Sequence, residues 1–347
     1  MASPSILDHP VADNSVVTDD LSRRHFGAAA GLSLAALVGA ACSSANDDTG
    51  NSTAGGSTRT IETPMGPVTV PVNPQRVVSL DAYVGLQTLD ELGAPVVATG
   101  TLGGGLRTLV SAASQELPSI GVTALGDMQL EAIAAAAPDL IVGRQPIGEE
   151  YYTELSGIAP TVLIPFTYWR DQYIDVADSV ALGAQATQNF TGLDERIVAL
   201  RSEIELAWPD GVRLSVVRVS DTSGDVRSYN TLAASTTFLY ADILSGAGIV
   251  PTANSLTGAD PSKVNTAVSA ENLPLIDGDV IIYYVGAGGQ ADAGIAVEQS
   301  LVSSPLWSKL SAVQADRAFK VDSAPWFDGY NLTGANAVID DLRRILL

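Results

Sequence analysis

The chain has 347 residues with 39 Asp plus Glu against 18 Lys plus Arg, a net charge of -21, so it has no basic field of the kind that holds a phosphate backbone, which argues against a nucleic-acid partner. Hydrophobic residues make up 46% of it, enough for packed cores, and the length suits two domains, with one large α/β domain as the alternative. Cys42 is the only cysteine and both histidines, His9 and His25, precede it, so a chain cut before Cys42 has no structural disulfide, no Cys/His zinc site, no Ser-His-Asp triad and no histidine ligand for haem.

Residues 1–41 read as an export signal. "SRRHFGAAAGLSLAALVGAAC" puts the pair Arg23 and Arg24 ahead of about sixteen apolar or small residues, too short a run to cross a bilayer at roughly 20 residues per span. Ser22, Arg23, Arg24 and Phe26 resemble the twin-arginine export motif, and a general secretory n-region is the alternative. "LVGAAC" resembles a bacterial lipobox ending on a lipidated Cys42. It departs from that pattern in having Gly39 where leucine is usual, with Leu37 two places earlier, and a secreted protein with a free thiol is the other reading. The Ser/Asn/Gly-rich stretch 42–57 is a flexible tether.

"TRTIETPMGPVTVP" alternates apolar and polar residues around Met65-Gly66-Pro67 and predicts a β-hairpin. From Arg76 to Arg170 the rhythm becomes strand, helix, strand, helix, with short Val/Ile/Leu runs between amphipathic stretches. That pattern predicts buried, mainly parallel strands in an α/β lobe over 58–170. A helical linker covers 171–208, and its second part carries Leu193, Ile197, Leu200 and Ile204 on one face before Pro209-Asp210-Gly211 stops it. The alternation resumes over 209–347 in a second lobe. The fold class is therefore α/β, with two similar lobes, mainly parallel central sheets and one long helix between them.

The lobes echo each other. "LEAIAAAAPDLIVG" from Leu130 and "AENLPLIDGDVIIYYVG" from Ala270 share a frame: Glu131 or Glu271, then Asp139 or Asp279 eight places on, opening an apolar run that ends in glycine. A glutamate in a first helical turn gains about 0.3 to 1 kcal/mol from the helix dipole, which is reason enough for either acid taken alone.

Taken in order, "PQRVVSLD", "LGAPVVATG", "LEAIAAAAPDLIVG", "LSGIAPTVLI", "LGAQA", "VSAENLPLIDGDVII" and "PLWSKLSAVQADRAFKVD" make the chain resemble the substrate-binding proteins of bacterial ABC importers for ferric siderophores, haem and cobalamin. The resemblance covers roughly residues 58–347. It implies two lobes on one long helix, a shallow cleft between them, and little closure on binding. It also implies that Glu131 and Glu271 dock onto arginines of the two permease subunits, that the protein needs no cofactor or metal ligand of its own, and that it works as a monomer outside the cytoplasm, anchored through Cys42.

Ligands of open α/β sheets bind beyond the carboxyl ends of the strands. The residues there are Asp81 and Tyr83, a Gly-rich run at 102–105, Arg144 and Gln145, Tyr168 and Trp169, Arg227 and Tyr229, Tyr284 with a glycine loop at 286–290, and Trp326, Phe327 and Tyr330. Of these, Tyr83, Arg144, Tyr168, Trp169, Arg227, Tyr229, Tyr284, Trp326 and Tyr330 are the expected ligand-facing set. Aromatic walls with a few arginines suit a large, partly apolar anion such as a ferric siderophore, whose iron arrives already chelated. Haem held by a tyrosine, through Tyr168, Tyr229 or Tyr330, is the alternative within this reading. An extracytoplasmic enzyme working through paired carboxylates, such as a glycoside hydrolase, is the alternative outside it, and a sensor or structural lipoprotein on the same fold is a third.

Overall fold

The computed structural model describes residues 57–101, 109–123, 126–219, 226–229, 238–251, 265–286 and 291–347. The export signal with Arg23 and Arg24, Cys42 and nearly all of its tether, and the glycine runs at 102–105 and 287–290 lie outside the described residues.

The chain enters through the expected hairpin, β1 (Thr58–Thr63) and β2 (Gly66–Pro71), paired antiparallel from Thr58 opposite Pro71 to Thr63 opposite Gly66. Gly66 leaves the turn at a φ of 100°, a conformation that a side chain would strain. Next comes a four-stranded parallel sheet in the order β4-β3-β5-β6, made of β3 (Val77–Ser79), β4 (Val96–Thr99), β5 (Leu140–Arg144) and β6 (Thr161–Ile164). Its helices are α1 (Val84–Glu91), α2 (Ala112–Gln115), α3 (Leu130–Ala135), α4 (Gln145–Gly148), α5 (Tyr152–Ile158) and α6 (Trp169–Ser179).

The linking helix α7 (Gly183–Ala207) is 25 residues long, about 37 Å at 1.5 Å per residue. Ala181, at a φ of 63°, separates it from α6. It buries Ala186, Phe190, Leu193, Ile197, Leu200 and Ile204, the apolar stripe that the 3.6-residue period requires.

In the second lobe the strands β7 (Arg213–Val219), β11 (Val280–Val285) and β12 (Ala318–Lys320) run parallel, and β9 (Val250–Pro251) pairs with the start of β7. Beyond β7 lie β8 (Val226–Tyr229) and β10 (Asn265–Val268), both in antiparallel pairings, so the sheet reads β10-β8-β7-β11-β12. Its helices are α8 (Leu239–Gly246), a 3-10 segment (Ala270–Ile276), α9 (Ala291–Val302), α10 (Ser311–Gln314), α11 (Ser323–Phe327) and α12 (Leu332–Leu346).

Strand alternation sorts the interior into layers. On β11, Ile281 and Val285 face an outer cluster with Leu273, Ile276, Leu301 and Trp307. Val280, Ile282 and Tyr284 face the other way. On the first sheet Val78, Leu80, Ile141 and Leu163 likewise belong to an outer cluster with Ile120, Ile133 and Leu155. The two inward faces share a single core: Val77, Leu140, Val142, Val162 and Ile164 of one sheet join Leu214, Val216, Val280 and Ile282 of the other through residues of α6, α7, α8 and α12.

The repeated acids now have a structural cause. Asp139, just before β5, accepts hydrogen bonds from the backbone N–H groups of Gln75 (2.6 Å) and Arg76 (2.9 Å), ahead of β3. Asp279, just before β11, accepts from the backbone N–H of Arg213 at 2.9 Å and from its guanidinium at 3.0 and 2.7 Å. Each carboxylate clips together the start of the two central strands of its own sheet. In both cases the aspartate's own N–H donates back, to the carbonyl of Arg76 or Arg213.

Candidate ligand-binding site

All four strands of the first sheet run the same way, so their carboxyl ends deliver residues to one edge. β3 runs on to Asp81, which is buried. Its Oδ1 accepts the backbone N–H of Tyr83 at 3.0 Å and of Gly85 at 3.4 Å, anchoring the start of α1. A Cβ on Gly85 would stand 2.6 Å from Ser79 Oγ, so glycine is what allows this close seat. Oδ2 lies 3.4 Å from Arg144 Nε at the end of β5. The residue before that arginine, Gly143, packs so closely on Leu80 that a Cβ would meet it at 2.7 Å. The Arg144 guanidinium stands 5.5 Å from the ring centroids of both Tyr83 and Phe166, a cation–π contact on each. The side chain keeps 13% of its surface exposed, while Phe166, beyond β6, is 51% exposed.

From the second lobe Tyr330 meets Tyr83 edge to face, centroids 5.8 Å apart at 89°. On β7 and β8, Arg218 and Arg227 stand directly opposite one another in register, and Arg218 is also level with Tyr284 on β11. Like charges in such a cross-strand position repel, and part of that cost is offset where Arg218 lies 4.4 Å over the ring of Phe327 and Arg227 donates to Asn265 Oδ1 at 3.3 Å.

The expected set thus divides. Tyr83, Arg144, Tyr168 and Arg227 are half-buried at the strand-end edge. Trp169 and Trp326 are 0% exposed, and each spends its indole N–H inside the protein: Trp169 on Asp242 at 3.1 Å and Trp326 on Asp341 at 2.9 Å. Tyr229 and Tyr284 are likewise buried, in an aromatic cluster with Phe238, Tyr240, Trp326 and Phe327 whose neighbouring centroids lie between 5.4 and 6.5 Å apart. These four therefore have next to no surface to present to a ligand in this structure. Aromatics crowd the strand ends because they pack on one another there. Tyr330 is also buried but reaches the edge of the Tyr83 ring. Tyr283 and Trp307 pack together on the outer face, centroids 5.5 Å apart. Sequence reading missed Phe166, whose exposure shows only in three dimensions. It also missed Arg218, which alternation along "RLSVVRV" places on the side of Val216, opposite Val217.

Tyr168 works as a tether. Its phenol donates to Asp242 on α8, and burial followed by that carboxylate pushes its pKa well above the usual value. Asp242 also accepts from Arg170 Nε at 2.8 Å, and Arg170 reaches Asp194 on α7 at 2.6 Å.

Described residues form two further grooves. One of about 500 Å³ between the hairpin and α6 is lined by Glu62, Asp175 and Asp178, the wrong sign for an anion. Another of about 520 Å³ lies between α7 and α12 and is lined by Gln188, Asn189, Arg196 and Asn336. Glu131 is exposed in the first turn of α3, and Glu271 falls in the 3-10 segment Ala270–Ile276. The two repeats therefore place their acids on different kinds of short helix.

Two α/β lobes on one long helix, with arginines and aromatic rings gathered at the strand ends, make the architecture of a two-lobed binding protein. The chain belongs to the periplasmic binding protein family, which matches it over residues 80–325. It is 27% identical over 322 residues, covering 90% of this chain and 95% of the relative, to the probable siderophore-binding lipoprotein YfiY of Bacillus subtilis. Its fold is similar to that of Staphylococcus aureus SirA complexed with staphyloferrin B, with a TM-score of 0.67 at 23% identity over 83% of this chain and 98% of that one. It is also similar to the catecholate-siderophore binding protein VctP of Vibrio cholerae, with a TM-score of 0.61 at 19% identity over 83% and 100% of the two chains.

Burial also raises the phenol pKa values of Tyr173, next to Glu91, and of Tyr240 and Tyr284 in the aromatic cluster. A phenol whose folded-state pKa lies above its unfolded value of about 10 contributes stability that is complete below that pH and is lost as pH climbs toward the folded value. Alkaline titration followed by phenolate absorbance should show Tyr168, Tyr173, Tyr240 and Tyr284 ionising only together with unfolding, above pH ~10. Smooth ionisation of all ten tyrosines in a folded protein would contradict this placement.

Proposed function

We propose that this protein captures a ferric siderophore at the shared strand-end edge of its two lobes and delivers it to an ABC permease. The observation that carries the reading is electrostatic: in a chain of net charge -21, Arg144 and Arg218 stand at the carboxyl ends of β5 and β7 among aromatic rings, with Arg227 opposite Arg218 on β8. Such a site suits a ligand that is anionic and partly apolar, and one that brings its iron already wrapped. The names of the relative and of the structural neighbours support the same class of ligand. Haem on a tyrosine ligand fits less well, because ferric iron needs a phenolate. Tyr168 is committed to Asp242 with its pKa raised, and Tyr229 is buried.

A panel of ferric hydroxamate, catecholate and carboxylate chelates, with haem and cobalamin beside them, should yield at least one siderophore that quenches the fluorescence of the mature protein. Arg144→Ala should weaken that binding about tenfold or more, as expected for losing a charge-assisted hydrogen bond worth about 1.5 to 3 kcal/mol. Silence across the siderophores, or quenching by haem alone, removes the reading.

Delivery is assigned to Glu131 and Glu271, one acid at the head of each repeat, which together would present a two-point charge pattern to a two-subunit permease. Reversing both to lysine should abolish uptake by cells while leaving the affinity for the chelate within about twofold, since neither sits among the strand-end arginines and aromatic rings. Normal uptake would reduce both to helix-dipole residues.

Export through the Arg23 and Arg24 motif and anchoring by a lipid on Cys42 complete the proposal, placing the lobes outside the cytoplasm on the membrane face. Fatty-acid labelling should mark the wild type and not Cys42→Ala, and Arg23→Lys with Arg24→Lys should hold the precursor inside the cell. An unlabelled wild type would make it a free secreted protein.

A further inference from the structure

Helix α1 presents three residues at four-residue intervals, Tyr83 just ahead of it and Gln87 and Glu91 within it, and each meets the second lobe. Gln87 is 0% exposed. Its Nε2 donates to the carbonyl of Asp328 at 2.8 Å, and its Oε1 accepts the backbone N–H of Tyr330 at 2.9 Å. One side-chain amide thus pairs with a C=O and an N–H two residues apart, as a neighbouring strand would, and does so across more than 240 residues of sequence.

One turn further on, Glu91 accepts the backbone N–H groups of Leu332 (3.0 Å) and Thr333 (2.7 Å), the Thr333 hydroxyl (2.6 Å) and the phenol of Tyr173 (2.8 Å). It caps the start of α12 from the other lobe. Asn331, between the two grips, donates from Nδ2 to the carbonyl of Leu109 at 3.1 Å.

The segment held in this way carries Phe327, which lies under Arg218, and Tyr330, whose ring meets Tyr83, which in turn meets the guanidinium of Arg144. We propose that Gln87 is the positioning residue of the cleft: by holding the Tyr330 backbone across the lobe interface it keeps the Tyr330, Tyr83 and Arg144 stack in binding order, without touching the ligand itself. The inference deepens the siderophore reading and rests on it for the ligand's place against Arg144. A neutral amide suits the role, since both its donor and its acceptor are used and no charge has to be desolvated.

The test uses the mature chain with Gln87→Met, which keeps the volume and removes both hydrogen bonds, and with Arg343→Ala as a control. The control breaks the α12 to α7 contact with Glu203 at 2.8 Å, away from the cleft. The first readout needs no ligand: the NMR resonance of the Arg144 Nε–H, which Tyr83 and Phe166 flank, should shift or broaden in Gln87→Met and stay in place in Arg343→Ala. The second is the affinity for whichever ferric chelate quenches the wild type, expected to fall about tenfold in Gln87→Met and less than twofold in the control.

Tyr330→Ala should lower affinity comparably, and the double variant should be no weaker than the worse single one, because both act along one path. If Gln87→Met does not fold, Gln87→Glu, which keeps the acceptor for Tyr330 and loses the donor to Asp328, is read in the same two ways. An unmoved Arg144 resonance in a folded Gln87 variant overturns the inference. So does a wild-type affinity in that variant, or full additivity with Tyr330→Ala. If the wild type binds no chelate, the siderophore reading fails, while the Arg144 resonance still decides the role of Gln87.

Discussion

Everything at the strand-end edge depends on one constraint: the two sheets share a core. The inward faces of both bury against α6, α7, α8 and α12 in a single apolar cluster that runs from Val77 and Ile164 to Leu214 and Ile282. A continuous helix between the lobes already resists bending. Here such bending would have to open the shared core, and apolar surface returned to water costs about 25 cal/mol per Å². The polar contacts across that core are reciprocal. Asp242 of the second lobe takes Trp169, Arg170 and Tyr168 at the start of α6, and Glu91 of the first lobe takes the start of α12. Each lobe thus lends a carboxylate to the other: Asp242 to side chains at the start of α6, and Glu91 to the backbone N–H groups of the α12 start, where the dipole favours it.

Under the proposed function, a preformed edge matters because its ligand would be gripped by charge. A guanidinium held between two rings and backed by a buried carboxylate has little rotational freedom left to lose when it binds, so more of the interaction appears as affinity. The overall charge of -21 works the other way, repelling anions at long range. In the proposed reading the arginines at the strand ends would therefore act locally, over distances shorter than the roughly 8 Å at which salt screens the rest of the surface.

Residue by residue, the legible features were those with a period or a turn chemistry behind them. The stripe Leu193, Ile197, Leu200 and Ile204 appeared on the inner face of α7, and the hairpin turned where Gly66 allowed it. The echo of Asp139 and Asp279 was visible as a pattern, yet its cause was not, since the groups they hold, at Gln75, Arg76 and Arg213, lie more than 60 residues away in sequence. The aromatics were legible as a bias toward one edge and misleading about direction. A strand end can point a ring into the cleft or back onto its neighbours, and Trp326, Trp169, Tyr229 and Tyr284 took the second course.

What the sequence determined by itself was therefore the local order: which runs are buried strands, where the long helix stops and which of its faces is buried, and which edge collects arginines and rings. These follow from spacing along the chain, because burial on a strand or helix repeats with a fixed period. Only the tertiary structure decided which of those residues keep a surface, how Arg218 comes to face Arg227, and that Gln87 holds the backbone of Tyr330. Each of these depends on two segments far apart in the chain meeting across a shared core, and no local period records which segments will meet.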